Sequence, residues 1–155
     1  MLSNLAILVF CFIAMEAVAW STHKYVMHGF LWSLHRDHHQ PERGQVLQRN
    51  DLFFLIFATP GIILLYLGAM SGWETWHGWA GAGITLYGLA YFLVHEVVIH
   101  RRLPNSPKNV PSYLAALRRA HAIHHKNLER EGCECFGMLL VPWRFMREAW
   151  RRPKS

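Results

Sequence analysis

The chain has 155 residues, about the size of one domain, and only 17% of them are charged, against roughly 25% in ordinary soluble proteins. Apolar residues make up 52% and aromatics 14%, with seven tryptophans, and they gather in blocks long enough to cross a bilayer, a distribution that excludes a soluble globular domain. Net charge is +6 with most of the basic surplus after residue 100, which reads as a basic cytoplasmic face rather than a nucleic-acid-binding surface.

The first block runs from Leu2 to Trp20, interrupted only by Ser3, Asn4 and Glu16. It lacks the basic start and small-residue cleavage site of a signal peptide. We read it as a span, since ~20 apolar residues cross the ~30 Å hydrocarbon core. The second block, Leu52 to Met70, contains Pro60-Gly61, where a kink is expected. A short turn at Ser71-Gly72 leads to the third block, about Trp76 to Ile99, whose Gly78, Gly81, Gly83 and Gly88 favour close helix packing. Residues 101–112 read as a loop broken by three prolines. A fourth apolar patch, Phe136 to Phe145, is too short to span and reads as interfacial or re-entrant.

Orientation follows from the cations. No Lys or Arg separates the second and third blocks, whereas segment 21–51 carries Lys24, Arg36, Arg43 and Arg49, and everything after Ile99 is basic. The positive-inside rule puts segment 21–51 and the C-terminal third in the cytoplasm, with the N-terminus outside. The expected fold is all-α: one membrane-embedded helical bundle over residues 1–155, with spans at 2–20, 52–70 and 76–99 and a histidine-rich helical cap on the cytoplasmic side.

The cysteines add little. Cys11 lies in an apolar block as a small hydrophobe, and Cys133 and Cys135 form a C-x-C with no second pair, so neither a zinc ribbon nor a rubredoxin-like centre is available.

Ten of the eleven histidines fall into four clusters. His23 and His28 form an H-x₄-H at the end of the first span, followed by His35, His38 and His39 as an H-x₂-H-H. The order then recurs: His95 and His100 form an H-x₄-H at the end of the third span, followed by His121, His124 and His125. On a helix, residues i, i+3 and i+4 share a face, so each H-x₂-H-H can converge. Five residues rotate a regular helix by about 140°. The H-x₄-H pairs therefore either address different ions or sit on a π-bulge that turns them together. Neutral imidazole suits Fe, Zn, Cu and Ni, and ten histidines exceed what one ion can hold, so two ions are implied. His77, at the opposite surface, reads as an interfacial polar residue.

Carboxylates are sparse, and the Glu-x-x-His pattern of soluble di-iron bundles is missing. Asp37 and Glu96 lie inside clusters and are candidates to orient histidine N–H groups, with a solvated charge the equal alternative for Asp37. Glu16, two turns before His23, is an acidic residue within a span and hence a functional-site candidate. His95-Glu96 does not make a zincin, because H-E-x-x-H needs histidines four apart.

The four clusters resemble the histidine boxes of the fatty acid hydroxylase superfamily, and within it the small non-haem bacterial β-carotene hydroxylases. His23-Lys24-Tyr25-Val26-Met27-His28-Gly29, Asn50-Asp51-Leu52, Glu131-Gly132-Cys133 and Phe136-Gly137 fit that subgroup, and the resemblance covers nearly the whole chain. It implies a di-iron monooxygenase that uses O₂ to hydroxylate C3 and C3′ of β-ionone rings, taking β-carotene to zeaxanthin through β-cryptoxanthin. It also implies that the ten histidines are the iron ligands and that the enzyme sits in a bacterial inner membrane, drawing its carotenoid from the surrounding lipid. Zinc or nickel can replace iron in a purified sample, because affinity follows the Irving–Williams order. The same boxes would serve a hydroxylase or desaturase of acyl lipids or sterols. A membrane metal-binding or transport protein is a further alternative, but its spans would carry polar groups that these lack.

The chain has no G-x-G-x-x-G after a strand, no P-loop and no cysteine set for an iron–sulfur cluster. Electrons must therefore come from a partner, and a ferredoxin-type donor docking on the basic face near Arg118 and Arg119 is expected. Nucleic acid is not an expected partner. The preferred carotenoid and the oligomeric state are not encoded legibly.

Overall fold

The computed structural model of the chain describes residues 2–42, 45, 47–128 and 135–151. Arg43, Cys133 and the Glu131-Gly132-Cys133 stretch lie outside the described residues. Among those described, all regular structure is helical. In chain order the α-helices are α1 (Leu2–Ser21), α2 (Trp32–His39), α3 (Asp51–Met70), α4 (Trp76–Phe92), α5 (Ser112–His124) and α6 (Trp143–Arg151). Two π-helices intervene: Thr22–Phe30 continues α1, and Leu93–Ile99 continues α4.

Three helices are long and apolar enough to cross a membrane: Leu2–Phe30, Asp51–Met70 and Trp76–Ile99. They match the three expected spans to within a residue or two, except that the first continues to Phe30 as a π-helix kinked at Gly29 (φ −115°, ψ −125°). Their outer surfaces are oily, with Phe10, Ile13, Ile62 and Tyr66 all more than 60% exposed, as lipid-facing residues would be. The chain is a membrane protein.

The chain divides into two compact units. The first comprises Met1–Val18 and Ser33–Ala90. Its packing rests on absent side chains. A Cβ on Gly83 would lie 2.4 Å from the Leu8 carbonyl oxygen, and one on Gly81 would lie 2.6 Å from the Leu65 nitrogen. Gly68 and Gly78 approach so closely that a Cβ on the former would sit 2.2 Å from the Cα of the latter. These contacts bring α4 against α1 and α3, as small residues do where lipid offers no hydrophobic drive between helices. Gly88, by contrast, faces open space. α3 runs unbroken through Pro60. The α3–α4 turn reverses at Gly72 and Trp73, both left-handed (φ +64° and +65°). Here Glu16 accepts a hydrogen bond from the Tyr87 hydroxyl at 2.7 Å, both groups being buried, so the acidic residue within the span has a structural partner inside the bundle.

The second unit comprises Ala19–Trp32 and Tyr91–Ser155. Its core joins α5 to α6: Ala116 and Ala120 on α5 meet Phe145 on α6, with Cys135 beside them. Arg119 and Glu148 close this interface at 2.8 Å. The apolar patch at 136–145 forms no span. Residues 135–142 are irregular, α6 begins at Trp143, and Phe136, Met138 and Phe145 are almost fully buried. Part of its hydrophobicity is thus buried inside this unit, while Leu140 and Trp143 remain exposed.

Candidate metal centre

Both π-helices fall on H-x₄-H segments, which resolves the five-residue spacing. In a π-helix the N–H of residue i+5 bonds to the carbonyl of residue i. The His100 N–H does so to the His95 carbonyl at 2.9 Å, which brings the two side chains to the same side of the helix, ring edge toward ring face. Their rings lie 4.5 Å apart, and His95 and His100 Nε2 are 3.2 Å apart. His23 and His28 are also brought together, with ring centres 5.2 Å apart.

Within the second unit seven histidines form two groups. His23 and His28 bring their Nε2 atoms to 3.1 and 3.2 Å from His124 Nε2. His100 Nε2 lies 3.2 Å from that of His95 and 3.0 Å from that of His121, which in turn lies 2.8 Å from His125 Nε2. The H-x₂-H-H motif on α5 therefore serves both groups instead of converging on one point. Relative to His121, position i+4 is rotated by about 40° and position i+3 by about 60° the other way, so His125 stays with His121 while His124 diverges. In the first unit the same motif on α2 brings His35 and His39 Nε2 to 3.2 Å, while His38 stacks on His35. His77 stands apart from the clusters, bonded to Thr75 and stacked on Trp76.

The opposite ring nitrogens explain why these Nε2 atoms point as they do. His23 Nδ1–H donates to the Phe136 carbonyl at 2.9 Å, His35 to Asn50 Oδ1 at 2.6 Å, His38 to Gln48 Oε1 at 3.2 Å and His95 to Glu96 Oε1 at 2.6 Å. A proton held on Nδ1 leaves a lone pair on Nε2, the form a metal needs. Glu96 is itself held by the Arg102 guanidinium at 2.8 Å. Asp37 touches no histidine. It accepts from the backbone N–H groups of Arg49 and Asn50 and from the Gln45 amide, bracing the loop that presents Gln48 and Asn50.

The donor set fits a cation. One proton per nitrogen cannot satisfy three imidazole nitrogens that meet at 3.0–3.2 Å, whereas a shared ion accepts every lone pair. Two nitrogens ~2.1 Å from one ion and at right angles lie about 3 Å apart, which matches. The nitrogens of His23, His28 and His124 all fall within 4.8 Å of one another, as do those of His95, His100 and His121. Burial pushes His121 well below the ordinary imidazole value, helped by the charges of His95, His100, His125 and His124. Burial, with His95 and His28 adding and Glu96 opposing, brings His125 to about 4. Both rings are thus neutral, ligand-ready imidazoles near neutral pH.

The sequence reading missed Asn50, Gln48 and the Phe136 carbonyl. Arg118, expected from the sequence on a donor-docking face, donates its guanidinium N–H groups to the carbonyls of Val98, Pro107 and Lys108 at 3.0–3.1 Å. It ties the end of the second π-helix to α5, the two elements that supply His95, His100, His121 and His125.

The sequence profile of the family described as Fatty acid hydroxylase matches residues 8–146. The chain belongs to the fatty acid hydroxylase family. As a member of that family it is an enzyme, a hydroxylase. It is 43% identical over 130 residues to a β-carotene hydroxylase of Pantoea ananas, covering 84% of this chain and 73% of that protein. To a β-carotene hydroxylase of Pseudescherichia vulneris it is 43% identical over 139 residues, 90% and 77% of the two chains. A chloroplastic β-carotene 3-hydroxylase of Arabidopsis thaliana is 38% identical over 81% of this chain, which spans 42% of that longer protein. No solved structure matches.

Proposed function

We propose that this hydroxylase acts on carotenoids, placing hydroxyl groups at C3 of β-ionone rings and converting β-carotene to zeaxanthin through β-cryptoxanthin. One atom of O₂ enters the substrate and the other leaves as water, with two electrons and two protons from a donor. Two non-haem iron ions, held by His23, His28, His35, His38, His39, His95, His100, His121, His124 and His125, would supply the reductive activation of O₂. The observation that carries this reading is the pairing of converging Nε2 atoms with Nδ1–H groups fixed on oxygen acceptors. Relatives named for β-carotene support the substrate.

The protein's own part is to hold each ring in one tautomer and one orientation. Glu96, steadied by Arg102, strengthens the basicity of His95. The buried Phe136 ring lies edge-on to His23, His28 and His124, with centres 5.1–5.4 Å away, and keeps water from that group. A lipid-dissolved substrate suits a site carried on the ends of membrane helices. The distribution of Lys and Arg supports a cytoplasmic site in a bacterial inner membrane, with a ferredoxin-type donor.

The test is pigment analysis of β-carotene-producing cells expressing this chain, beside a His38→Ala control. Zeaxanthin with the native chain and none with the control is expected. Unchanged β-carotene with the protein present, iron-loaded and supplied with a donor would move the substrate to acyl lipids or sterols.

A further inference from the structure

α6 is amphipathic in an unusual sense: its outward face is neither plainly polar nor plainly apolar. Phe145 is buried, and Met146 and Ala149 are half-buried against the α5 core. On the other side Trp143 and Trp150, seven residues and thus about two turns apart, are 60% and 58% exposed and pack edge to face at 5.1 Å. Arg147 lies between them on the same face, with Arg144 and Arg151 flanking. Leu140, just before the helix, is 74% exposed. The helix has one acidic residue, Glu148, which points aside to Arg119. Two large exposed indoles cost free energy in bulk water, and three arginines on the same surface have no use for a purely apolar partner.

One environment satisfies both. At the headgroup layer of a bilayer, indoles sit with their apolar bodies toward the acyl boundary, and guanidinium groups bond phosphate. The compact unit that contains α6 also contains Ala19–Trp32 and Tyr91–Ile99, the ends of two spanning helices, so a membrane surface is at hand. We propose that α6 is a lipid-surface helix whose Trp143–Arg147–Trp150 face binds the anionic phospholipid headgroups of the membrane in which the chain resides. Because α6 is fixed to α5 by Phe145 and by the Arg119–Glu148 pair, lipid binding there steadies the helix that bears His121 and His124. The proposal does not depend on which substrate the enzyme takes.

The full chain in nanodiscs tests it, with tryptophan fluorescence quenched by dibrominated lipid supplied either as phosphatidylcholine or as phosphatidylglycerol. Quenching should be stronger from the brominated phosphatidylglycerol, and the excess should vanish in Trp143→Phe/Trp150→Phe. In Arg147→Gln/Arg151→Gln the tryptophans remain but the preference for the anionic lipid should fall at least about fivefold, the effect of one cation near such a surface. All these residues are exposed, so an unchanged thermal midpoint is expected and checks the fold. Equal quenching by both lipids, or a preference that survives the arginine variant, would overturn the proposal. So would an acidic ferredoxin shielding the two tryptophans while phosphatidylglycerol does not, which would make the face a protein-docking surface.

Discussion

An imidazole nitrogen either carries a proton or offers a lone pair, and the residue across the ring decides which. For His35 that residue is Asn50, a buried amide whose oxygen takes the Nδ1 proton at 2.6 Å. Asn50→Leu removes the acceptor, and we expect metal affinity to fall about 10–100-fold, the usual cost of losing such a partner. Asn50→Asp keeps an oxygen in place and should retain most of the affinity. Ferrous-ion titration of the two variants decides it, and equal affinities would contradict the orienting role. The histidine clusters that the structure gathers were legible in the sequence because they show in residue type and spacing. Their acceptors were not, since Gln48 and Asn50 come from a loop and the Phe136 carbonyl lies 113 residues from His23. No periodicity in the chain announces a backbone oxygen.

At the scale of elements, two features decide how histidines and spans are placed. The π-helices bring each H-x₄-H pair together on one side of the helix, a possibility the spacing raised but could not choose. The glycines of α4 set how closely the helices of the first unit approach. A side chain at Gly83 has no room beside the Leu8 carbonyl, and backbone cannot yield as a flexible side chain can. Gly83→Val should therefore destabilise the protein by about 1–3 kcal/mol, the range for overpacking, read as a lower thermal midpoint in detergent. Gly88→Val, facing open space, should leave the midpoint near the native value. Equal effects at the two sites would refute the packing argument. The glycine-rich pattern alone could not separate them, because which helix face meets a neighbour depends on partners distant in sequence. The Phe136–Phe145 patch was too short to span, but which of its residues are buried, Phe136, Met138 and Phe145, could not be read from hydrophobicity alone.

For the whole molecule, burying many imidazoles together has a consequence in acid. His121 and His125 titrate below the ordinary value of 6.5 when folded, His125 at about 4. As pH falls below 6.5 the unfolded chain takes up protons that the folded chain refuses, so stability is lost with acidification through that window. Bound metal is lost in the same direction, because protons compete for the lone pairs. Thermal midpoints of metal-free protein should fall as pH is lowered from 6.5 toward 4, and a level profile would contradict the burial of neutral histidines.

Whether the histidine clusters hold two metal ions is decided by ferrous loading. Anaerobic reconstitution of the purified full chain, followed by iron and protein determination, should give two iron ions per chain. His124→Ala and His121→Ala should each lower the count toward one. A native stoichiometry of one or none, or two ions retained in both variants, would mean that the clusters do not hold two ions.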